Sequence, residues 1–278
     1  MGDWGSGRFR GWIYFERLSF AVINMYQKFG IATRFYGLSE GDIERLETWV
    51  EAALMIVQPS SIFVAIHSEV DLARSSDFMK NKYPKVNAFS VTPWGKVVQA
   101  PNALLIKSAE LDMNHLLFVS TEYPVTKPIV SLLQSYFDKQ TLVVGACLTG
   151  HDIKALPGKN VLVKNASGLQ IPWNTYALWS IKHLVHTGFV LAADSLHDPD
   201  NAGMEEMGTI AAQQILWPGK AIAKLVVLPE GNLVINTHGW SVKRHDRYLQ
   251  NLKSKNARSS AQLERLSLPT PNVLHIKG

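Results

Sequence analysis

Two groups of acidic residues in this sequence have the types and spacing for chemistry. Glu122 ends the polar triplet Ser120–Thr121–Glu122, which follows the apolar run HLLFV, and Glu205 and Glu206 stand together in NAGMEEMG. Carboxylate oxygens are ligands that Mg²⁺ and Mn²⁺ favour, and a carboxylate can also take a proton from a substrate hydroxyl. The alternatives are that Glu122 is only a polar strand end and that the paired acids only stabilise a helix start through its dipole.

The elements that must position these residues alternate between strands and helices. Apolar β-rich runs predict strands at 61–67, 87–93, 115–120 and 141–148, and helical spacing of apolar residues predicts helices at 39–58, 70–81, 100–111 and 128–138. This order predicts an α/β fold with a mostly parallel, Rossmann-like sheet and helices on both faces. Ligands bind beyond the carboxyl ends of such strands, where Glu122 is expected.

The composition indicates a folded protein with a local basic segment. Of 278 residues, 46% are apolar and 18% are charged, which supplies a large core. Between Trp240 and Arg258 there are six basic residues and one acid, a surplus equal to the net charge of +5. The rest of the chain is balanced, which argues against a nucleic-acid binder. Cys147 is the single cysteine, so no intrachain disulfide is available, and a reducing, cytoplasmic location is expected.

The chain is predicted to have an N-terminal amphipathic segment (1–37), an α/β catalytic domain (38–239) and a basic C-terminal extension (240–278). The segment GWIYFERLSFAVINMYQKFGI is apolar and aromatic, but Glu16 and Arg17 interrupt it. It falls short of the roughly 18 apolar residues of a spanning helix. We therefore expect an amphipathic N-terminal helix that packs on the body or on a partner such as a second copy; peripheral attachment to a membrane surface is the alternative.

Several motifs of common enzyme classes are absent from the sequence. It contains neither G-x-G-x-x-G nor G-x-x-x-x-G-K-[ST], which argues against a dinucleotide dehydrogenase and a P-loop enzyme. It also lacks H-E-x-x-H, paired cysteines and G-x-S-x-G, which argues against a catalytic zinc site and an α/β-hydrolase.

Three segments in order resemble glycosyltransferases of the GT-A fold, in particular glycosyltransferase family 2. They are WGKVVQAPNALLIKSAELDMNHLLFVSTE, WNTYALWSIKHLVHTGF and GMEEMGTIAAQQILWPGKAIAKL, and the resemblance covers roughly residues 60–228. It implies a GT-A-like catalytic domain that moves a sugar from a nucleotide-diphosphate sugar to an acceptor hydroxyl, as a hexosyltransferase does. It also implies that the configuration of the anomeric carbon is inverted. A nucleotidyltransferase on a similar sheet and a non-catalytic nucleotide- or sugar-binding protein are the alternatives.

The resemblance also implies roles for the acidic residues. Family members have Asp-x-Asp where this chain has Ser120–Thr121–Glu122, so Glu122 is left as the candidate ligand of a divalent cation, Mg²⁺ or Mn²⁺, with His238 as a second candidate. Without a cation, a basic residue of the C-terminal extension could neutralise the diphosphate. Glu206 matches the catalytic base, and Glu205 is the second choice.

Further residues are assigned to substrates by the same resemblance. The acceptor-binding candidates are Trp173, Asn174 and Trp179, for which burial in the core is the alternative. The candidates for donor or nucleotide binding are His67, Ser68, Glu69, Trp94, Lys96, Asn102, Ser120 and Thr121. Trp94 is expected to stack on the base and Lys96 to reach a phosphate; packing and surface exposure are their respective alternatives.

Overall fold

The computed structural model describes residues 28–37, 40–67, 72–155 and 158–277. Strands β1 to β9 are Phe29–Phe35, Ile62–His67, Asn87–Val91, His115–Val119, Thr141–Ala146, Val161–Val163, Tyr176–Ser180, Ile222–Val227 and Val273–Lys277. Helices α1 to α8 are Glu40–Leu54, Leu72–Lys82, Gln99–Glu110, Lys127–Ser135, Ile181–Leu184, Glu205–Leu216, Val242–Lys253 and Lys255–Leu266. In this part of the chain no helix is long and apolar enough to cross a membrane.

The nine strands of the described chain form one mixed sheet in the order β3-β2-β1-β4-β7-β5-β8-β9-β6. Strands β3, β2, β1 and β4 are parallel to one another, and so are β5, β8 and β9. Strand β7 runs antiparallel between β4 and β5, and β6 is the antiparallel edge strand. The first residues of β7 therefore lie beside the last residues of β4.

The chain order places a topological switch between β1 and β4. The sequence steps outward from β1 to β2 and β3, and then returns through α3 to β4 on the other side of β1. Right-handed crossovers put α1 and α2 on one face and α3 on the other. Strand β2, IFVAIH, is buried throughout because helices cover both faces. Such a switch leaves a crevice at the carboxyl ends of the two strands.

The predicted fold class is confirmed, and so are β2 to β5 and the helices between them, within a few residues at their ends. Four strands fall where none was predicted: β1 within 1–37, β6 at Val161–Val163, β7 within the aromatic segment, and β9 within the C-terminal extension. The sheet therefore crosses both predicted domain boundaries. The predicted N-terminal amphipathic helix lies outside the described residues, apart from its end, which is β1.

The C-terminal extension is built into the fold rather than being a solvated tail. Helix α8 buries Arg258, Ser259, Gln262 and Leu263. The Arg258 guanidinium donates to the Ala202 carbonyl at 3.0 Å, and the Gln262 amide donates to the Met204 carbonyl at 3.1 Å. Between them, Gly203 has φ +109°, and a Cβ there would meet Arg258 at 2.4 Å. Helix α8 thus fixes the turn from which α6 begins.

Candidate functional site

A small pocket opens at the switch between β1 and β4. It is lined by residues from the ends of both strands, from α3, from the segment before β7 and from the start of α6: Ala32, Thr33, Arg34, Pro101, Leu104, Phe118, Val119, Ser120, Asn174, Thr175 and Glu205. The Ser120 amide donates to the Thr175 carbonyl at 3.0 Å, which holds the end of β4 beside the start of β7. The pocket thus brings Ser120 and Glu205, which are distant in sequence, to one opening.

Glu122 lies next to this pocket in a network of two acids and two arginines. Its carboxylate accepts hydrogen bonds from the Ser120 hydroxyl and from Arg244 Nη2, the latter at 2.6 Å. Arg244 Nη1 also contacts Asp42 Oδ1 at 3.1 Å, and Arg45 Nη1 contacts the same oxygen at 2.8 Å. Both carboxylates are largely buried, and each is neutralised by a guanidinium.

His238 joins this neighbourhood through its backbone. Its carbonyl accepts from Arg45 at 3.4 Å, and its amide donates to Asn236 Oδ1 at 3.0 Å. The Asn236 amide in turn donates to the carbonyl of Glu122 at 3.1 Å. The side chain of His238 is exposed. Its predicted role as a cation ligand stays a prediction.

Asn174 links the two acids at the start of α6. Its side-chain amide donates to Glu205 Oε1 at 3.0 Å, and its backbone amide donates to Glu206 Oε1 at 2.5 Å. The side-chain oxygen of Asn174, Oδ1, accepts a hydrogen bond from Trp179 Nε1 at 2.8 Å. Both acids are buried, but Glu205 lines the pocket while Glu206 lies behind it. Of the two acids, Glu205 is therefore the one that faces the pocket, and the preference for Glu206 as the base stays a prediction.

Glu206 is held in an environment that disfavours its charge. Burial, and then the neighbouring Glu205, raise the pKa of Glu206 to about 7. Its Oε2 atom is buried without a hydrogen-bond partner among the described residues. Lys255, whose own pKa is lowered by burial, interacts with Glu206 electrostatically. Glu206 is therefore poised to carry a proton near neutral pH.

Replacing Glu206 with Gln is expected to flatten the pH dependence of stability. Because the folded pKa is raised above the unfolded value, the folded state binds more protons than the unfolded chain between about pH 4.5 and 7, and wild-type stability falls as pH rises through that window. Glutamine has no charge to lose. Urea unfolding at pH 5 and pH 8 should show a smaller difference for Glu206→Gln than for wild type, whereas exposed Glu264→Gln should match wild type. Equal differences in all three proteins would contradict this assignment.

Trp173 and Trp179, the predicted acceptor-binding tryptophans, are both buried, and their predicted role stays a prediction. Trp173 is buried, and its ring stacks on the His151 ring with 3.6 Å between the two centroids. Lys255 Nζ lies 3.7 Å from the centroid of the Trp173 ring. Trp179 is fully buried in β7 and meets Phe189 edge to face at 5.2 Å. Both rings belong to the core, because the sheet and α8 cover them.

An aromatic cluster stands at the ends of β1, β2 and β3. His67 meets Trp94 at 4.9 Å and Tyr36 at 4.5 Å, both edge to face. Trp94 is buried, whereas Tyr36 is 52% exposed. Tyr36, which follows the unpredicted β1, is therefore the ring of this cluster that is open to a ligand. Ser68 and Glu69 lie outside the described residues.

Asp194 binds the start of α3 beside Lys96, the residue that was predicted to reach a phosphate. Its buried carboxylate accepts from the backbone amides of Lys96 at 3.1 Å, Val97 at 2.7 Å and Val98 at 3.0 Å, just before α3. Burial alone would raise the pKa of Asp194, but these donors outweigh it and hold the pKa below its usual range. The Lys96 side chain is exposed. The backbone amide of Lys96 already binds Asp194, so only its side chain is left to bind a phosphate. That role stays a prediction.

Asn102 also has a structural contact. Its side chain donates to the Phe189 carbonyl at 2.9 Å and accepts from the Phe189 amide at 2.7 Å. Both ends of this side chain are thereby used to hold the loop before Leu191–Asp194 against α3. Its predicted donor-binding role stays a prediction, as does that of Thr121.

Solved structures with the same architecture are glycosyltransferases. Glucosyl-3-phosphoglycerate synthase from Mycobacterium tuberculosis, in complex with Mg²⁺ and UDP, matches with a TM-score of 0.54 and 13% identity, over 90% of this chain and 83% of that one. Its complex with Mn²⁺, UDP-glucose and glycerol 3-phosphate matches with a TM-score of 0.53 and 14% identity, over 90% and 84%. A mannosyltransferase from Pyrobaculum calidifontis, in complex with GDP-Man and Mn²⁺, has a TM-score of 0.49 and 11% identity, over 87% and 76%.

No protein-family model matches the sequence, and a comparison with curated proteins found no match. The structural similarity shows the fold: this chain has the GT-A fold of glycosyltransferases. The fold predicted from the sequence resemblance is thus confirmed.

The site residues that were not predicted include Tyr36, Asp42, Arg45, Arg244 and Asp194. Tyr36 follows the end of β1, a strand hidden in an aromatic-rich segment, and Asp42 lies in the first turn of α1. Arg244 was one of six basic residues in its segment, and nothing in the sequence distinguished it from the others. Asp194 follows no strand that would have drawn attention to it.

Proposed function

We propose that this protein transfers a sugar from a nucleoside-diphosphate sugar to an acceptor hydroxyl. The observation that supports this most strongly is the pocket at the switch of a GT-A sheet, with Ser120 on one wall and Glu205 on another. Two solved structures that share this fold contain UDP and UDP-glucose, respectively. A pocket at such a switch point is where this sheet architecture binds ligands.

Glu205 is the proposed catalytic base. Its carboxylate takes the proton of the acceptor hydroxyl as that oxygen forms a bond to the anomeric carbon of the sugar. The bond from that carbon to the diphosphate oxygen breaks, and the nucleoside diphosphate leaves with the electron pair. A single displacement of this kind inverts the anomeric configuration. Asn174 orients the base through its 3.0 Å hydrogen bond to Glu205.

Glu122 is the proposed protein ligand of a divalent cation. The residues fit Mg²⁺ or Mn²⁺, which are often held by one or two carboxylates together with substrate phosphates. Within the described residues no group of three His, Cys, Asp or Glu side chains is arranged to hold a metal, so the remaining ligands are assigned to the diphosphate and water. A bound cation would neutralise the charge of the leaving diphosphate.

Other substrate contacts follow from the exposed surfaces near the pocket. Tyr36 is the proposed stacking partner of the nucleotide's base, in place of the buried Trp94.

We also propose a reducing, cytoplasmic location, because Cys147 is a buried free thiol. Membrane-surface or homo-oligomer contact through the N-terminal segment stays a prediction.

Nucleotide binding tests this function directly. Titration calorimetry with UDP, GDP, CDP, ADP and dTDP, each with and without MnCl₂, should reveal one diphosphate whose affinity rises about tenfold or more, equal to about 1.4 kcal/mol or more, with the cation. Incubation with the matching nucleotide sugar and candidate hydroxyl acceptors should then release that diphosphate. A clear preference for nucleoside triphosphates with release of pyrophosphate would favour a nucleotidyltransferase. Absence of binding to every nucleotide would overturn the proposal.

A further inference from the structure

The network around Glu122 pairs this candidate cation ligand with an arginine, Arg244. Among the residues that the structure describes, the four charged groups joined by these ion pairs, Asp42, Glu122, Arg45 and Arg244, add up to a formal charge of zero. A diphosphate carries negative charge, so a neutral site that includes the Glu122 carboxylate offers it little attraction. A cation at Glu122 and the Arg244 guanidinium compete for the same carboxylate.

Arg244 is well placed for such an exchange. Its backbone amide donates to the Ser241 hydroxyl at 3.3 Å, which caps the start of α7. Its guanidinium lies 4.7 Å from the centroid of the Trp240 ring. The side chain is 39% exposed, so solvent and ligands can reach it, whereas those of Asp42 and Glu122 are largely buried. Arg244 is thus held at the edge of the network by contacts that do not depend on Glu122.

Asp42 keeps a counter-charge if Arg244 moves. Arg45 Nη1 contacts Asp42 Oδ1 at 2.8 Å, which is shorter than the 3.1 Å contact from Arg244. Arg244 can therefore leave both carboxylates without depriving either of a counter-charge, provided that a cation has taken its place on Glu122. The duplicated contact to Asp42 makes Arg244, rather than Arg45, the arginine that is free to move.

We propose that Arg244 is a diphosphate-binding residue that exchanges its ion pair with Glu122 for the phosphate oxygens of the donor when a divalent cation occupies Glu122. This inference rests on the proposed function and assigns it a residue outside the segments that resemble known glycosyltransferases. With the cation bound, the network gains two positive charges, and the guanidinium fork matches phosphate geometry. Arg244 both competes with the cation and serves the nucleotide.

The two roles predict effects of opposite sign for Arg244→Ala. The variant should bind Mn²⁺ about threefold or more tightly in the absence of nucleotide, because a competing charge has been removed. With saturating Mn²⁺ it should bind the nucleoside diphosphate about tenfold or more weakly, because one charge-assisted hydrogen bond has been lost. Free Mn²⁺, measured by its electron paramagnetic resonance signal, gives the first affinity. Titration calorimetry with UDP, GDP, CDP, ADP and dTDP gives the second.

Matched variants separate this role from a change in folding or surface charge. Arg247→Ala removes an exposed arginine from the same helix and should leave both affinities at the wild-type values. Arg244→Lys keeps the charge without the fork and should fall between wild type and Arg244→Ala. If wild type binds a diphosphate with Mn²⁺ but Arg244→Ala does not show both tighter Mn²⁺ binding and weaker diphosphate binding, this inference is overturned. The proposed function then still stands. If wild type binds none of the five diphosphates with Mn²⁺, both are overturned.

Discussion

Replacing Glu205 with Gln is expected to lower turnover by about 10²- to 10⁴-fold, the range contributed by a positioned general base. Glutamine has nearly the same shape and can still accept the hydrogen bond from Asn174, but it cannot take the proton of the acceptor hydroxyl. Donor affinity should change little, because the substitution leaves Ser120 and Glu122 intact. The measurement is release of nucleoside diphosphate from the donor identified in the binding panel, together with calorimetry of that diphosphate.

Two further variants decide whether Glu205 is the base. Glu206→Gln should reduce turnover far less than Glu205→Gln, because Glu206 lies behind the pocket wall and bonds to the backbone of Asn174. Exposed Glu264→Gln should behave as wild type. Near-complete loss in Glu206→Gln with full activity in Glu205→Gln would restore the assignment predicted from the sequence resemblance and refute the one made from the pocket.

Replacing Asp194 with Ala is expected to destabilise the fold by about 3 kcal/mol or more, since several N–H donors lose a charged acceptor in a buried position. The carboxylate holds the backbone amides of Lys96, Val97 and Val98. It thereby ties the loop before α6 to the start of α3, and α3 and the first residue of α6 line the pocket. Chemical unfolding at pH 7 measures the loss, and activity should fall with it because the pocket walls are no longer fixed.

The pH dependence gives this prediction a second test. Since the pKa of Asp194 is below its usual range in the folded state, its stabilising effect is present above the unfolded pKa, about 3.9, and is lost as pH falls through the folded value. The difference between wild type and Asp194→Asn should therefore persist at pH 7 and shrink below about pH 4. Asp198→Asn, which breaks a partly exposed ion pair with Arg265, should cost no more than about 1 kcal/mol. Equal losses in the two variants would refute the capping role.

Apolar patterning predicted the half of the sheet where strands and helices alternate. Strand β2 is a continuous run of apolar, β-rich residues, and helix α1 carries apolar residues at helical spacing, so both are identified without tertiary information. Strands β1 and β7 were missed because their neighbours in sequence are equally apolar or aromatic, so that local patterning does not mark where they begin. Their assignment depends on pairing with β4, which is a long-range contact.

The candidate site divides in the same way. Ser120 and Glu122 were identified because a strand end is a local feature, and Glu205 and Glu206 because paired acids begin an amphipathic helix. The choice between Glu205 and Glu206 depended on which carboxylate faces the pocket, and this is set by Asn174 and by the turn that α8 holds. Trp173 and Trp179 show the converse, since their composition suggested a sugar-binding surface and packing buried them.

The sequence by itself determined the fold class, the sheet edge where the acids lie and the two acidic groups themselves. Only the tertiary structure decided that Arg244 and Asp42 meet Glu122, that Asp194 closes the start of α3, and that Glu205 rather than Glu206 reaches the pocket. The physical reason is range. Periodicity and chain order act over a few neighbouring residues, whereas the charge and accessibility of a carboxylate depend on groups that lie up to 202 residues away along the chain, as Arg244 does from Asp42.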